Sequence, residues 1–388
     1  MKILKARNLK ENIEELLEKQ DFPAITIYLN THKRWRKNEK SKIVLKNQLS
    51  KITVKLESLG LKKTDIDELL LPINKLSKNA NFWKNASSGT AFFLSKGTTM
   101  AVQLVNTVPS KSYVNDCFNI KYLTEDLFER KAYYILAISP KNNFLYIAEN
   151  KLSTLLPESD LLPKNMDSAI ETANDEKSGQ YHSTSSVSNV NQGGILMHSP
   201  GANKDGESIL IERYLRKVDK SLNGVLKEFD MPMVLVCTNT VYPLYKEINS
   251  YPNLLENYIS GNPDNPRERR KLLQKAWPLV KKHQTEKKNA LCNEYKENYK
   301  KSISNLTEIV KAAYHGSVDK LFVGTKNDFW GKYNMSIGTI RTDKKRRKDS
   351  QDLVNLAILF TVKNGGEVYK VAKKKLGNES EVGALLRY

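Results

Sequence analysis

The chain has 388 residues, 39% of them hydrophobic, with 18 tyrosines and 4 tryptophans. This composition excludes an intrinsically disordered chain and favours two or three domains. The formal net charge is +20, which indicates an acidic partner: nucleic acid first, then a membrane surface, with a merely soluble basic surface as the alternative.

Cysteine spacing and hydropathy narrow the class of protein further. The three cysteines lie far apart without a CxxC pair, so neither a disulfide framework nor a zinc ribbon is indicated. The N-terminus lacks the apolar segment of a signal peptide, and no run of about 18 apolar residues occurs. We therefore expect a cytoplasmic protein that does not span a membrane.

The first block, residues 1–125, reads as an N-terminal α/β domain. Leu9, Ile13, Leu16 and Leu17 predict an opening amphipathic helix. The alternating stretch "PAITIYLNTH" predicts a strand, and the apolar spacing from Lys42 onward predicts a helix that stops at Gly60. Further strands are predicted at Thr90–Leu94, Met100–Leu104 and Tyr113–Ile120.

The middle block, residues 126–265, begins with a predicted hairpin, "AYYILAIS" and "NNFLYIAEN" joined by "PKNN". A long polar loop follows over residues 167–206, a length that is usually functional or disordered. The next predicted helix has Ile209, Ile211, Leu215, Val218 and Leu222 on its inner side, and "MPMVLVCT" predicts a buried strand. An RNase-H-like core fits this order. Its hairpin strands carry no carboxylates, which argues against two-metal nuclease chemistry.

The last block, residues 266–388, combines a basic helical segment with a predicted small α/β sandwich. Pro278 is expected to kink or break the basic helix. Strands are predicted in "VDKLFVGT" and "GEVYKVAK", and a helix that ends at Gly365 lies between them. The chain closes on "GALLRY".

Clusters of cations occur in all three blocks. The first basic patch surrounds Trp35 and consists of Lys33, Arg34, Arg36, Lys37, Lys40, Lys42 and Lys46. Cations with an interleaved aromatic suit phosphate contacts and stacking on an unpaired base, although a solvated helix start is the plain alternative. The second basic patch, Arg341 to Asp349, includes Lys344, Lys345, Arg346 and Arg347. A third lies at Arg267–Lys271. Three patches favour a large polyanion over a small acidic ligand.

Motifs of metal and nucleophilic chemistry are missing from the sequence. The five histidines form no HxxxH or HExxH pair, and neither a GxSxG elbow nor a Walker phosphate loop occurs. We therefore predict no metal site and no cofactor.

The C-terminal block resembles the C-terminal domain of archaeal and eukaryotic class-I peptide release factors and Pelota. The resemblance rests on "AAYHGSVDKLFVG", "LAILFTVKNGGEVYKVAK" and "GALLRY", in that order. In the middle block, "ERYLRKVDKSL" supplies Tyr214, Arg216, Lys217 and Val218 in the pattern of the family's helix after its Gly-Gly-Gln loop. At the start of the first basic helix, "NEKS", Asn38 to Ser41, stands where the family has Asn-Ile-Lys-Ser.

The group of bacterial archaeo-eukaryotic release factors (baeRF) looks most similar, through "NFWKNASSGTAFFLS" and "YISGNPDNP". The hibernation factor Balon belongs to the same wider lineage. The resemblance implies a three-domain release-factor/Pelota-like architecture: an N-terminal domain for the decoding site, a middle domain for the peptidyl-transferase centre and a C-terminal domain for partners. It implies ribosomal RNA as the partner, with tRNA and an elongation-factor GTPase as further candidates.

The sequence departs from the family at the residues of peptide release. In "NQGGILMHSP", Gln192 precedes Gly193 and Gly194, whereas release needs Gly-Gly-Gln. The glycines permit backbone angles closed to other residues, and the following Gln positions the attacking water, so the reversed order does not keep that geometry. Gln192, Gly193, Gly194 and His198 are the only catalytic candidates. Glu39 also places a negative charge in the codon-reading motif.

The sequence leaves three hypotheses about the function. The leading hypothesis is a non-catalytic occupant of the ribosomal A site in hibernation, stalling surveillance or rescue. It binds RNA through the first two basic patches, Asn38, Ser41 and the helix cations Arg213, Arg216 and Lys217. The second is a peptidyl-tRNA ester hydrolase with a reorganised loop. The third is an RNA-binding scaffold that does not act on the ribosome.

Overall fold

The computed structural model describes residues 1–5, 9, 12–18, 22–33, 35–128, 132–149, 152–166, 202–226, 231–324, 327–377 and 380–388. Contacts divide the chain into two compact units. Unit 1 consists of Met1–Arg130 and Lys288–Tyr388, and unit 2 consists of Lys131–Lys287.

The described strands are β1 (Lys2–Lys5), β2 (Ala24–Asn30), β3 (Gly89–Leu94), β4 (Thr99–Leu104), β5 (Lys111–Asn115), β6 (Ala132–Ile138), β7 (Asn143–Glu149), β8 (Leu152–Leu155), β9 (Met233–Cys237), β10 (Ile259–Ser260), β11 (Ser302–Ile303), β12 (Val318–Val323), β13 (Trp330–Asn334), β14 (Thr339–Thr342), β15 (Gln351–Asp352), β16 (Glu367–Lys370) and β17 (Val382–Leu386). The described helices are α1 (Glu14–Leu17), α2 (Asn38–Ser58), α3 (Lys63–Ser77), α4 (Ala80–Lys84), α5 (Thr124–Phe128), α6 (Ala202–Val225), α7 (Val241–Ile248), α8 (Pro266–Glu297), α9 (Leu306–Tyr314) and α10 (Leu353–Lys363).

The first sheet of unit 1 has the strand order β1-β4-β3-β2-β5. β1 pairs in parallel with β4, and the other neighbours are antiparallel. The first described element is therefore a strand and not the predicted opening helix; among the described residues of the predicted helix, α1 covers Glu14–Leu17. Leu4 is buried while its neighbours in β1 are exposed, which is the alternation of an edge strand.

Both faces of this sheet are buried, which explains the continuous apolar character of β3. On one face, Ile27 and Phe92 pack against Leu45 and Ile52 of α2 and Ile73 of α3. On the other face, the sheet shares a single hydrophobic cluster with α9 and α10. The N-terminal and C-terminal segments of unit 1 thus have a common core.

The C-terminal segment contributes two small sheets to unit 1. One has the order β11-β17-β12-β16 and the other the order β14-β13-β15. α10 ends before Gly365, whose positive φ of 75° suits a residue without a side chain. The strand, helix and strand predicted in this block are confirmed as β12, α10 and β16.

The described strands of unit 2 form a sheet with the order β10-β9-β6-β7-β8. β6, β7 and β8 form an antiparallel meander, and β9 and β10 extend it in parallel beyond β6. This is the strand order of the predicted RNase-H-like core, and the predicted hairpin is β6–β7. α6 and α7 pack into one cluster with the sheet, and Leu272, Ala276 and Val280 of α8 pack into another.

Three details of unit 2 differ from the sequence expectations. α6 begins at Ala202, so the predicted polar loop is shorter at this end. Ile209 is 51% exposed instead of facing inward, because Tyr214, Leu215, Val218 and Leu222 already form the buried stripe. α8 continues through Pro278 as one helix, supported by apolar residues on both sides of the proline.

The predicted α/β class is confirmed. The three domain boundaries, 1–125, 126–265 and 266–388, remain a prediction. Among the described helices, none combines the length and hydrophobicity that a bilayer span requires.

Candidate nucleic-acid interface

The first basic patch sits where β2 turns into α2. A 3-10 helix at Trp35–Lys37 leads directly into α2, which starts at Asn38. The Asn38 side chain is fully buried: its Oδ1 accepts from the His32 backbone N–H at 2.8 Å, and its Nδ2 donates to the carbonyls of His32 at 2.8 Å and Trp83 at 3.0 Å. Ser41 is also buried, and its Oγ donates to the Asn30 carbonyl at 2.8 Å.

Asn38 and Ser41 therefore hold the strand-to-helix junction together. Their hydrogen bonds tie the start of α2 to backbone groups of Asn30 and His32, which precede it, and of Trp83 in α4. Most cations of this segment, by contrast, face solvent. Lys33, Arg36, Lys37, Lys40 and Lys46 are exposed.

Two neighbours modify the charge of this patch. Lys42 pairs with Glu39 at 2.7 Å and lies 5.8 Å from the centre of the Trp83 ring, so the negative charge of Glu39 is matched locally. Within the described ranges, Lys33, Lys37, Lys40 and Lys46 make no ion pair. Arg34 and the ring of Trp35 lie outside the described residues. A cavity of about 230 Å³ is lined by Thr31, His32, Lys33, Lys37, Ser88 and Thr107.

The second basic patch is a loop folded around one carboxylate. Asp343 is buried, and its oxygens accept from Arg341 at 3.0 Å and Ser350 at 2.7 Å and pair with Arg347 at 3.1 Å. The hydrogen bond from Ser350 and then that from Arg341 hold the pKa of Asp343 below its usual value. Arg347 thus helps to build the loop.

The remaining cations of the second patch divide into two kinds. Lys344 and Lys345 are exposed and, among the described residues, make no ion pair. Arg346 instead lies with its guanidinium 4.6 Å from the centre of the Trp330 ring. A cation–π contact of this kind restrains the guanidinium without using its N–H donors.

A second cavity brings α2 and the second basic patch together. We call it the α2–loop pocket. It measures about 280 Å³ and is lined by Gln48, Lys51, Ser110, Lys111, Ser112, Tyr113, Asp328, Trp330 and Arg346. Sequence reasoning missed Lys51 and Lys111, because the three contributing segments are far apart in the chain and no spacing pattern links them.

The carboxylate in the lining of this pocket, Asp328, already has hydrogen-bond and ion-pair partners within the protein. Asp328 accepts from Lys111 at 2.9 Å and from the Tyr113 hydroxyl at 3.1 Å, and its Oδ1 lies 3.5 Å from Nζ of Lys121. Lys55, whose Nζ donates to the Val114 carbonyl at 2.9 Å, has its pKa lowered to about 8 by burial and then by the charge of Arg346.

The helix cations of unit 2 lie on α6. Tyr214, from the family pattern, is buried and its hydroxyl donates to the Ser139 carbonyl at 2.7 Å. Val218 is also buried, so these two positions stabilise the fold. Arg213 is exposed, Arg216 pairs with Glu212 at 2.7 Å, and Lys217 is half-buried with a partner. Gln192, Gly193, Gly194 and His198 lie outside the described residues.

Metal ligands and thiols are the other candidate groups for chemistry in the described part of the chain. Within it, no group of three His, Cys, Asp or Glu side chains could hold a metal ion. Burial raises the pKa of Cys117 and of Cys237 to about 12, so both thiols are protonated at neutral pH.

Residues 133–282 match the family "Bacterial archaeo-eukaryotic release factor family 7". The resemblance to the baeRF group is thereby confirmed, over a span that covers most of unit 2. No curated protein matches the chain.

Solved structures of translation factors are also similar, at low identity. The archaeal termination factor aRF1 is 9% identical over 100% of this chain and 99% of that one, with a TM-score of 0.25. Ribosome-bound archaeal Pelota, described together with ABCE1, is 15% identical over 75% and 72%, with a TM-score of 0.38. Saccharomyces cerevisiae Dom34, a termination-like factor described as interacting with Hbs1, is 12% identical over 75% and 73%, also with a TM-score of 0.38. At these identities, the three structures assign no residue role to this chain.

Proposed function

We propose that this protein is a translation factor of the release-factor lineage that binds ribosomal RNA, occupies the A site and does not cut the peptidyl-tRNA ester. Its roles are hibernation, stalling surveillance or rescue in the cytoplasm. tRNA and an elongation-factor GTPase are further partners that we propose with it.

The observation that carries the proposal is the set of exposed cations without ion pairs among the described residues in the first basic patch, Lys33, Lys37, Lys40 and Lys46. Cations that no protein carboxylate neutralises repel one another and gain most from a phosphate backbone. The family match and the net charge of +20 point to the same partner. Asn38 and Ser41 contribute by shaping the helix start, since their side chains are buried.

The non-catalytic part of the proposal rests on residue order. Water activation by a Gly-Gly-Gln loop needs the Gln amide after the two glycines, because the glycine backbone angles set where that amide points. This chain has Gln192 before Gly193 and Gly194. Binding without release is the function that this order favours.

The direct test is co-sedimentation with ribosomes over a salt series. The variant Lys33→Glu/Lys37→Glu/Lys40→Glu reverses three charges of the first basic patch. Its control, Lys62→Glu/Lys63→Glu/Lys75→Glu, makes the same change of net charge at exposed positions in or next to α3. Loss of three phosphate contacts should reduce the slope of log K against log salt by roughly 2. We expect this in the patch variant only.

Two outcomes count against the proposal. Equal loss in both variants means that bulk charge, and not the first basic patch, drives binding. Absence of any ribosome-bound fraction at low salt, in growing and in starved cells, removes the ribosome as the partner. Crosslinks to other RNAs would then favour the scaffold function.

Peptidyl-tRNA hydrolysis is the second candidate, favoured by the position of the Gln192–Gly194 segment ahead of α6, which carries Tyr214, Arg216, Lys217 and Val218 in the family pattern. Release of labelled peptide from loaded ribosomes measures it. Activity that Gly193→Ala/Gly194→Ala abolishes would establish this function, and no release by the wild-type protein rules it out.

A further inference from the structure

The α2–loop pocket is a preformed cavity of unit 1, built from three separate segments. Gln48 and Lys51 come from α2, Lys111 to Tyr113 from β5, and Asp328, Trp330 and Arg346 from the C-terminal segment. At about 280 Å³, it lies just below the usual range for ligand pockets, about 300–1,000 Å³, and has room for a small group such as one phosphate.

The pocket is cationic beyond what its own carboxylate neutralises. Three cations, Lys51, Lys111 and Arg346, line it together with one carboxylate, Asp328. Asp328 is shared by Lys111 and the more deeply placed Lys121. Among the described residues, Lys51 and Arg346 have no carboxylate within ion-pair distance.

Arg346 is held in a way that suits an anion. Its guanidinium lies over the Trp330 ring, 4.6 Å from the ring centre, and this contact restrains the planar group. A guanidinium presents its five N–H donors in that plane, in a fork that matches two oxygens of a phosphate. The serine hydroxyls in the wall, Ser110 and Ser112, are further donors of the right kind.

The same crowding is visible at Lys55, next to the pocket. Burial and then the charge of Arg346 lower the pKa of its ammonium to about 8. Cations that lie this close together, with one carboxylate in the pocket lining, repel one another. A bound anion would relieve this repulsion.

We propose that the α2–loop pocket binds the phosphate group of a nucleotide, without reading its base. Base-independence follows from the lining: Tyr113 is buried, and one face of Trp330 is covered by Arg346. The phosphate belongs either to an RNA strand or to a free nucleotide. Only the first source rests on the proposed function.

The test titrates the full-length protein with a short single-stranded oligouridylate, with AMP and with inorganic phosphate. The pocket variant is Lys51→Gln/Arg346→Gln, and the charge-matched control is Lys62→Gln/Lys63→Gln on exposed positions of α3 and its start. Loss of two charge-assisted contacts should weaken binding at least about tenfold in the pocket variant. The control should stay within about twofold. Comparable thermal melting of both variants shows that the fold is intact.

A second readout needs no variant. NMR titration of the Lys55 side chain in the wild-type protein should give a higher pKa in the presence of saturating phosphate ligand than in its absence. Binding of oligouridylate that AMP displaces assigns the phosphate to an RNA strand. Binding of AMP with no binding of oligouridylate assigns it to a free nucleotide. Binding of inorganic phosphate alone, or of none of the three ligands, overturns the proposal.

Failure of this inference and failure of the proposed function are distinguishable. Equal affinities of pocket variant and control, or an unchanged Lys55 pKa, overturn the pocket while leaving ribosome co-sedimentation untouched. Loss of co-sedimentation with an intact phosphate response overturns the ribosomal role and leaves the pocket standing.

Discussion

Lys121 is the most deeply buried cation among the described residues of unit 1, and its removal should destabilise the fold strongly. Its side chain is 3% exposed, and its Nζ lies 3.1 Å from Oδ2 of Asp352, which is fully buried, and 3.5 Å from Oδ1 of Asp328. It also donates to the Asn327 carbonyl. Because a buried carboxylate that loses its partner is left uncompensated, Lys121→Met should cost roughly 3–5 kcal/mol.

The pH dependence of this loss follows from Asp352. Burial already raises the pKa of Asp352 above its usual value, and Lys121 is the largest influence that lowers it. Without Lys121, that pKa rises further in the folded state. Because the folded variant then holds the Asp352 proton to a higher pH than the folded wild type does, the deficit of the variant grows as the pH rises above the raised pKa of Asp352 in the wild type.

A second substitution makes the reasoning refutable. Asp352 caps α10, and its Oδ1 accepts from the N–H groups of Phe329 at 3.0 Å and Val354 at 3.2 Å. Asp352→Asn keeps an acceptor there without the charge, so the double variant should be more stable than Lys121→Met alone. The free energy of opening is measured by hydrogen exchange of the α10 amides. A loss below about 1 kcal/mol, or a double variant no more stable than the single one, refutes the argument.

Three further predictions concern named contacts. Lys55 has a folded pKa of about 8 against the ordinary lysine value of 10.5, so the unfolded chain binds more protons between these values; the unfolding free energy of wild type relative to Lys55→Met should rise across pH 8 to 10.5 and be flat below, and a flat difference throughout contradicts this. Asn38→Ala removes three hydrogen bonds to backbone groups and should cost roughly 2–4 kcal/mol in urea unfolding, against less than about 0.5 kcal/mol for the exposed Lys40→Ala; equal losses would be inconsistent with a stabilising role of these hydrogen bonds. Tyr214→Phe removes the hydroxyl donor to the Ser139 carbonyl and should lower the opening free energy of unit 2 by about 1–2 kcal/mol by hydrogen exchange, and no change there would show that the bond contributes nothing.

Elements with strong local signals could be predicted from the sequence. The β6–β7 hairpin, the buried strand β9 and helix α10 each follow from apolar runs bounded by turn residues. β1 could not be predicted in this way, because a four-residue edge strand has too few positions for a period. The exposure of Ile209 could not be predicted either, because in the sequence it fits the same apolar helix face as the residues that are buried.

At the candidate site, much less could be predicted from the sequence. The first basic patch was evident as a run of cations, but its pattern could not separate side chains that face solvent from Asn38 and Ser41, which bind backbone groups inside the fold. The α2–loop pocket had no signal at all, because Lys51 and Arg346 meet only through the tertiary contacts of unit 1. Local sequence patterns therefore predict where cations lie in the chain. Which of these cations are available to a ligand depends on the tertiary packing.

The arrangement of these cations depends on the shared core of unit 1, to which the N-terminal and the C-terminal segments both contribute. One face of the first sheet, with Tyr28 and Phe93, lies in the same hydrophobic cluster as Ile309 of α9 and Leu356 of α10. A fragment without the C-terminal segment would expose this face, and it would also lack Arg346 and Trp330 of the pocket. A loss of RNA binding by such a fragment would therefore reflect lost core packing as well as lost contacts to RNA. Substitution of exposed cations in the intact chain separates the two effects, because it changes charge while the core stays buried.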